Sequence, residues 1–181
     1  MIIDNFLCSF DDLKEHSLRS VFKDEVNPVD KVVYPLICKD IPKNVEIEIY
    51  QRLAIYIGDT VKNPVMFMRK SPEGVDCPHQ VHSDASMGKF SLMLYLNNHD
   101  GGTSLVRHKE TGISYNPENQ EYVDIVVNDQ NNHEAWEITD MVDMKENRAF
   151  IFDSRRLHRS EPIGGFGKEH DSRVVLTCFF S

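Results

Sequence analysis

The sequence predicts a mainly β protein with helices packed outside a β-sandwich or open barrel. Three observations carry that expectation. Helical spacing is confined to the first third of the chain, where Val45, Ile49, Leu53 and Tyr56 recur on one face ahead of Gly58, a plausible stop. From residue 64 onward the pattern changes to short runs separated by turns. The last run, Arg173 to Phe180, is apolar on both faces, as a central strand is. The 181 residues fit a single domain over 1–181, with a helical support region at 1–62 and a β core at 63–181.

In order, Met1 to Leu7 reads as a short strand. A helix follows, with Ser9 as N-cap, Asp12 completing a capping box, and Cys8 and Leu13 at the staple positions. Leu13, Leu18, Val21 and Phe22 give it a rough apolar stripe. Val32 to Tyr34 is extended, because Pro35 disfavours helix before it. Ile41 to Ile57 fits both periods over Val45 to Ile49, and the longer helical spacing decides for helix. Val65 to Arg69 is a strand ended by the turn Ser71-Pro72-Glu73-Gly74. Phe90 to Asn97 is the clearest strand: Phe90, Leu92, Leu94 and Leu96 on a core face, Ser91, Met93, Tyr95 and Asn97 on a mixed face suited to a cavity wall. Asp100-Gly101-Gly102 turns into Thr103 to Arg107, and Arg148 to Asp153 is a further strand. Residues 113 to 135 lack either periodicity and read as a long polar loop, either a lid or a surface insertion. Gly164 to Gly167 reads as a flexible loop.

A formal net charge of −9 argues against binding a nucleic-acid backbone. The four cysteines, Cys8, Cys38, Cys77 and Cys178, have no metal or C-x-x-C spacing and fit a reducing cytoplasm. The N-terminus lacks the basic region of a signal peptide, and no apolar run approaches a membrane span of about 20 residues.

The chemistry-bearing stretch is Pro78 to Asp84. In an extended segment His82 and Asp84 point to one face, and an imidazole with a carboxylate suits Fe(II) with open positions. His-x-Asp alone arises by chance in many proteins, so its context matters. The strand ending Tyr95-Leu96-Asn97 follows, then Gly101-Gly102-Thr103, then Phe150 to His158, and finally Arg173. This ordered set resembles the Fe(II)/2-oxoglutarate-dependent dioxygenases, in their prolyl 4-hydroxylase-like branch, over roughly residues 64–181.

The resemblance implies a double-stranded β-helix, the cupin-like jelly roll, with N-terminal support helices. It implies that His82, Asp84 and His158 hold Fe(II), that 2-oxoglutarate is the cosubstrate and that O2 is consumed. Arg173 would grip the far carboxylate of 2-oxoglutarate, since a guanidinium pairs bidentately with a carboxylate. Tyr95 is placed to help it, or is a core aromatic with its hydroxyl at the surface; Thr177 shares the face of Arg173, or is a small core residue. The interval from His158 to Arg173 is longer than usual in this branch, which leaves Arg155, Arg156 and Arg159 as alternatives, all read as solvated in a turn. His79 reads as a loop residue, His99, His108, His133 and His170 as exposed, His16 as a helix residue and Trp136 as strand packing.

The implied activity is hydroxylation of a C–H bond in a peptidyl proline, an amino acid or another small substrate, with release of succinate and CO2. Asp84 favours hydroxylation, because related halogenases lack this carboxylate. The alternatives are a non-catalytic cupin-like module, which would have lost a ligand or the arginine, and a cupin hydrolase or isomerase, which would draw on more clustered histidines than His79 provides. The partner expected is a small molecule or peptide, with neither nucleic acid nor membrane.

Overall fold

The computed structural model describes residues 1–27, 31–75 and 77–181. Among them the chain runs β1 (Ile2–Ile3), α1 (Phe10–Arg19), β2 (Lys23–Val26), β3 (Val33–Cys38), α2 (Lys43–Ile57), β4 (Val65–Ser71), β5 (Phe90–Tyr95), β6 (Gly102–His108), α3 (Gln120–Asp129), β7 (Trp136–Asp143), β8 (Ala149–Asp153), β9 (His158–Glu161) and β10 (Arg173–Phe180). A seven-stranded sheet has the order β1-β8-β5-β10-β4-β3-β2, and a three-stranded sheet the order β7-β6-β9. The paired strands are antiparallel. After β5 the chain crosses to the small sheet for β6 and β7, returns for β8, crosses again for β9 and returns for β10. That alternation is a double-stranded β-helix, the jelly roll.

Strand alternation explains why β10 is buried along its whole length. Val174, Leu176, Cys178 and Phe180 face the helices, in one cluster with Leu13, Val45, Ile49, Leu53, Leu92 and Leu94. Val175 faces the barrel interior with Tyr95, Leu105, Phe150 and Phe152. Arg173 and Thr177 share that inward parity. The two faces of β5 divide in the same way, Leu92 and Leu94 outward to the helices, Met93 and Tyr95 inward.

Helix α2 covers the outer face of the large sheet. It buries Val45, Ile49 and Leu53, each contributing about 1.5–3 kcal/mol. Gly58, at φ 70°, ends the helix by donating its N–H to the Ala54 carbonyl at 3.0 Å. Tyr56, expected on the buried stripe, is 38% exposed.

Helix α1 departs from expectation. Its buried residues are Phe10, Leu13 and Ser17; Leu18 falls on the exposed face, and Val21 is exposed beyond the helix end at Arg19. The capping box does not form: the Ser9 hydroxyl donates to Glu48 Oε2 at 2.6 Å, and Cys8 is exposed rather than stapled to Leu13. The initial strand is confined to Ile2–Ile3, which pairs with β8. Three strands had no clear signal, among them β9, where the sequence reads as a turn. Strand β2 is charged and solvated, and β7 shows an interrupted burial pattern.

Residues 113 to 135 are not an unstructured excursion. They contain α3, whose Asn119 caps it by accepting from the Glu121 N–H at 2.9 Å. Val126 packs with Val81, Val106, Trp136 and Leu157. In the Gly164-to-Gly167 loop, Phe166 is buried and stacks on His99 at 3.6 Å between ring centroids.

Candidate metal centre

The His82 segment is fixed by its backbone. His82 N–H donates to the His158 carbonyl at 3.1 Å, and His158 N–H returns the bond at 3.0 Å. Val81 N–H donates to the Gln130 carbonyl, and Gln80 N–H to Asn131 Oδ1, so the segment following α3 braces the strand from outside. Asp84 is held by its own N–H donating to the Ser154 carbonyl at 2.8 Å. A reciprocal pair places the two imidazoles side by side, their centroids 4.4 Å apart, and alternation brings Asp84 to the same face.

One ligand atom from each of His82, Asp84 and His158 lies within 4.8 Å of the others. His82 Nε2 is 3.7 Å from Asp84 Oδ1, and His158 Nε2 is 3.4 Å from Asp84 Oδ2. Each imidazole has its Nδ1 against a backbone carbonyl: Gln80 at 3.1 Å for His82 and Arg156 at 2.9 Å for His158. Carbonyls accept only, so Nδ1 carries the proton in both rings and Nε2 is left with a free lone pair in the neutral form. His158 Nε2 is buried and makes no hydrogen bond. Two converging imidazole lone pairs, a buried carboxylate and an orphaned buried nitrogen fit a divalent transition metal.

The electrostatics suit that reading. Burial, then the neighbouring His158, holds the His82 imidazole down at about 4. Burial alone would raise Asp84, but His158, His82 and the Ser91 hydroxyl outweigh it and hold the carboxyl below its usual range. Burial would lower His158, and Asp84 outweighs it.

Ser91 and Ser154 support the carboxylate. Ser91 is fully buried and donates to Asp84 Oδ2 at 3.0 Å. Its hydroxyl also lies 2.9 Å from the Ser154 hydroxyl. A carboxylate only accepts, so the Ser91 proton goes to Asp84 and Ser154 donates to Ser91. Phe152 meets the His158 ring edge-on at 4.9 Å and keeps that flank apolar.

The other sequence-derived residues lie further into the barrel. Arg173 is 3% exposed, donates from Nη2 to the Gly102 carbonyl at 3.3 Å, and has a buried Nε without a partner. Burial lowers its guanidinium to about 10. Among the described residues no carboxylate pairs with it. Tyr95 is fully buried, with its hydroxyl donating to Thr103 Oγ1 at 2.9 Å, so it is not a surface-reaching aromatic. Burial raises its phenol above the usual value. Thr177 Oγ1 lies 3.4 Å from Met93 Sδ.

Arg155 and Arg156 flank the ligand near the surface, with their guanidinium carbons 5.9 and 4.8 Å from the Tyr115 ring centroid. Arg159 is not solvated as expected: it is 8% exposed and donates from Nε to Glu161 Oε1 at 2.6 Å. His108 is likewise buried rather than exposed. It lies 3.2 Å from Asp129 Oδ2 and edge-on to Trp136, a lock between β6 and α3. The expectation for the His170 side chain lies outside the described residues.

Sequence reasoning passed over Ser91 and Ser154 as partners of Asp84. Ser91 had a signal, a lone hydroxyl in an apolar strand on the mixed face. It also passed over Arg69, which lies on β4 opposite Val175 and lines a cavity with His82, Ser71, Gln80 and Ser160.

No family model matches the chain, and no curated protein matches it in sequence. Solved structures do match in fold. AviO1 from Streptomyces viridochromogenes Tue57 is 12% identical, with a TM-score of 0.59 over 96% of this chain and 84% of that one. HygX from Streptomyces hygroscopicus, with nickel and 2-oxoglutarate bound, is 10% identical at a TM-score of 0.58, covering 98% of this chain and 80% of that one. HygX also matches with nickel, 2-oxoglutarate and hygromycin B bound, at a TM-score of 0.51. EvdO2 from Micromonospora carbonacea var. aurantiaca, complexed with 2-oxoglutarate, is 13% identical at 0.55, covering 99% of this chain and 84% of that one. At these identities the likeness shows the shared jelly roll.

Proposed function

We propose that this chain is an Fe(II)- and 2-oxoglutarate-dependent dioxygenase that hydroxylates a C–H bond of a small-molecule or peptide substrate. The observation that carries the proposal is the convergence of His82, Asp84 and His158, with the Nε2 of His158 buried and unpaired. Two proteins of the same fold were solved with 2-oxoglutarate: EvdO2, and HygX, the latter with nickel and in one structure also with hygromycin B. They support a small molecule among the substrates left open, and the prolyl 4-hydroxylase-like branch remains part of the same proposal.

Iron bound by the three ligands would supply O2 activation, one oxygen atom passing to succinate as 2-oxoglutarate loses CO2 and the other to the substrate C–H. The protein's own work is positioning. Two carbonyls orient the imidazoles, and Ser91 fixes the carboxylate. Arg173 offers an unpaired Nε to the distal carboxylate of the cosubstrate, and Tyr95 and Thr177 line the wall beside it. Phe150, Phe152 and Val175 exclude water from the interior. All four cysteines are free, which supports a cytoplasmic setting. No helix among the described residues is long and apolar enough to cross a membrane.

The test is succinate release from 2-oxoglutarate by Fe(II)-loaded protein, with a panel of peptides, amino acids and aminoglycosides. Stimulation by one class, lost in Asp84→Ala, is the expected result. No succinate with any addition, from protein shown to hold iron, would leave the non-catalytic cupin-like module.

A further inference from the structure

The barrel interior holds two arginines without acidic partners. Arg69 on β4 is opposite Val175 of β10, and Arg173 is opposite Ser71, so the two guanidinium groups lie on one inward face, one diagonal step apart. Each has a buried Nε with no hydrogen-bond partner. Arg69 lines the cavity beside His82, with Ser71, Gln80, Cys77 and Ser160. No carboxylate pairs with either arginine among the described residues.

Charge counting over the three candidate metal ligands and the two arginines shows what the site lacks; Arg159, which also lines the cavity, is balanced by Glu161. A divalent metal with Asp84 and two neutral imidazoles leaves one positive charge, and Arg69 and Arg173 add two. A 2-oxo diacid brings two negative charges, one end to the metal and one to Arg173. One positive charge is left, on Arg69. The Arg69 Nε is buried without a partner, and an unmet charged donor is costly, so the ligand that completes the site brings an anion. A single residual charge matches a monoanionic carboxylate, which also fits the planar fork of an arginine, better than a phosphate dianion.

We propose that Arg69 is the specificity-determining residue for the substrate and pairs with a carboxylate carried by it. This rests on the proposed cosubstrate site and names the substrate class, a small carboxylic acid. The cosubstrate stays with Arg173, and the substrate's acid group enters the cavity between β4 and the His82 segment.

The test uses Zn(II)-loaded full chain, which does not turn over, saturated with 2-oxoglutarate. Propionate, its neutral isostere propionamide, and inorganic phosphate are titrated in turn, and binding is read by thermal shift and calorimetry. Propionate should stabilise saturably and propionamide should not. Arg69→Met should lose propionate binding at least about tenfold, while 2-oxoglutarate affinity stays within about threefold. Arg69→Lys keeps the charge, so it should retain the preference for propionate over propionamide at lower affinity. Zinc affinity and the ligand-free melting temperature show that the variants fold. Equal binding of propionate and propionamide would overturn the inference, as would phosphate binding more tightly than propionate. A tenfold loss of 2-oxoglutarate binding in Arg69→Met would instead give Arg69 to the cosubstrate. Failure of wild type to bind 2-oxoglutarate at all is a separate result, and it overturns the proposed function.

Discussion

Replacing Ser91 by alanine removes one hydroxyl from a site where nothing can replace it. Ser91 is fully buried, and its hydroxyl supplies the side-chain hydrogen bond that the structure gives Asp84. Stripping that bond from a buried carboxylate costs about 1–3 kcal/mol. Removing an outer partner of a metal ligand typically lowers metal affinity about 10–100-fold, which is about 1.4–2.7 kcal/mol and agrees with the first figure. Ser154 also loses the acceptor for its hydroxyl, 2.9 Å away, so part of the cost falls on folding rather than on metal binding. Calorimetric titration of Fe(II) under anaerobic conditions, or of Zn(II) in air, reads the affinity, and a thermal melt without metal reads the folding part. We expect at least about tenfold weaker binding for Ser91→Ala. Ser91→Thr keeps the hydroxyl and should recover most of the affinity if its methyl fits. An affinity within twofold of wild type for Ser91→Ala would refute the argument that this hydroxyl holds Asp84 in its ligating position.

Glu48 accepts from the Cys8 and Ser9 N–H groups, the Ser9 hydroxyl and Arg52 Nε. Burial pushes its carboxyl up, but these donors outweigh it and hold it at about 2, below the ordinary 4.5. Its contribution is therefore complete above pH 4.5 and is lost as pH falls toward 2; Glu48→Gln should flatten acid unfolding by on the order of 2 kcal/mol, followed by circular dichroism. Gly102→Ala should destabilise by at least about 2 kcal/mol in urea unfolding, since a Cβ there would sit 1.9 Å from the Val142 carbonyl oxygen. Asn147 sits at φ 58° and its side chain ties both Leu7 N–H and Leu7 C=O to the barrel. Asn147→Ala should cost about 2–4 kcal/mol and Asn147→Gly less, because glycine recovers the left-handed backbone.

Two members of the candidate metal cluster were legible from alternation, while His158, distant in sequence, came only from the resemblance. His82 and Asp84 are two residues apart in an extended segment, and β5 and β10 separate a core face from a cavity face by parity alone. Helix α2 was legible through its stripe and Gly58. What escaped depended on partners distant in sequence. Ser9 looks like an N-cap, but Glu48 of α2 takes its hydroxyl and two nearby N–H groups. Helix α3 is short and polar with one buried residue, Val126, so its stripe is too thin to read without the sheet it covers. His108 reads as a turn residue until α3 packs on β6 and brings Asp129 to it. Arg159 differs: Glu161 is two residues away on β9, and the pair escaped because β9 itself read as a turn. Arg69 could have been placed by the alternation of β4, but its lack of a partner is a property of the assembled barrel.

The most direct test is an anaerobic titration of the chain with Fe(II) and then 2-oxoglutarate, followed by visible absorbance. The account predicts one Fe(II) per chain, a charge-transfer band that grows on adding 2-oxoglutarate, and loss of both in His158→Ala. Iron bound without such a band, or bound as tightly by His158→Ala as by wild type, would contradict it.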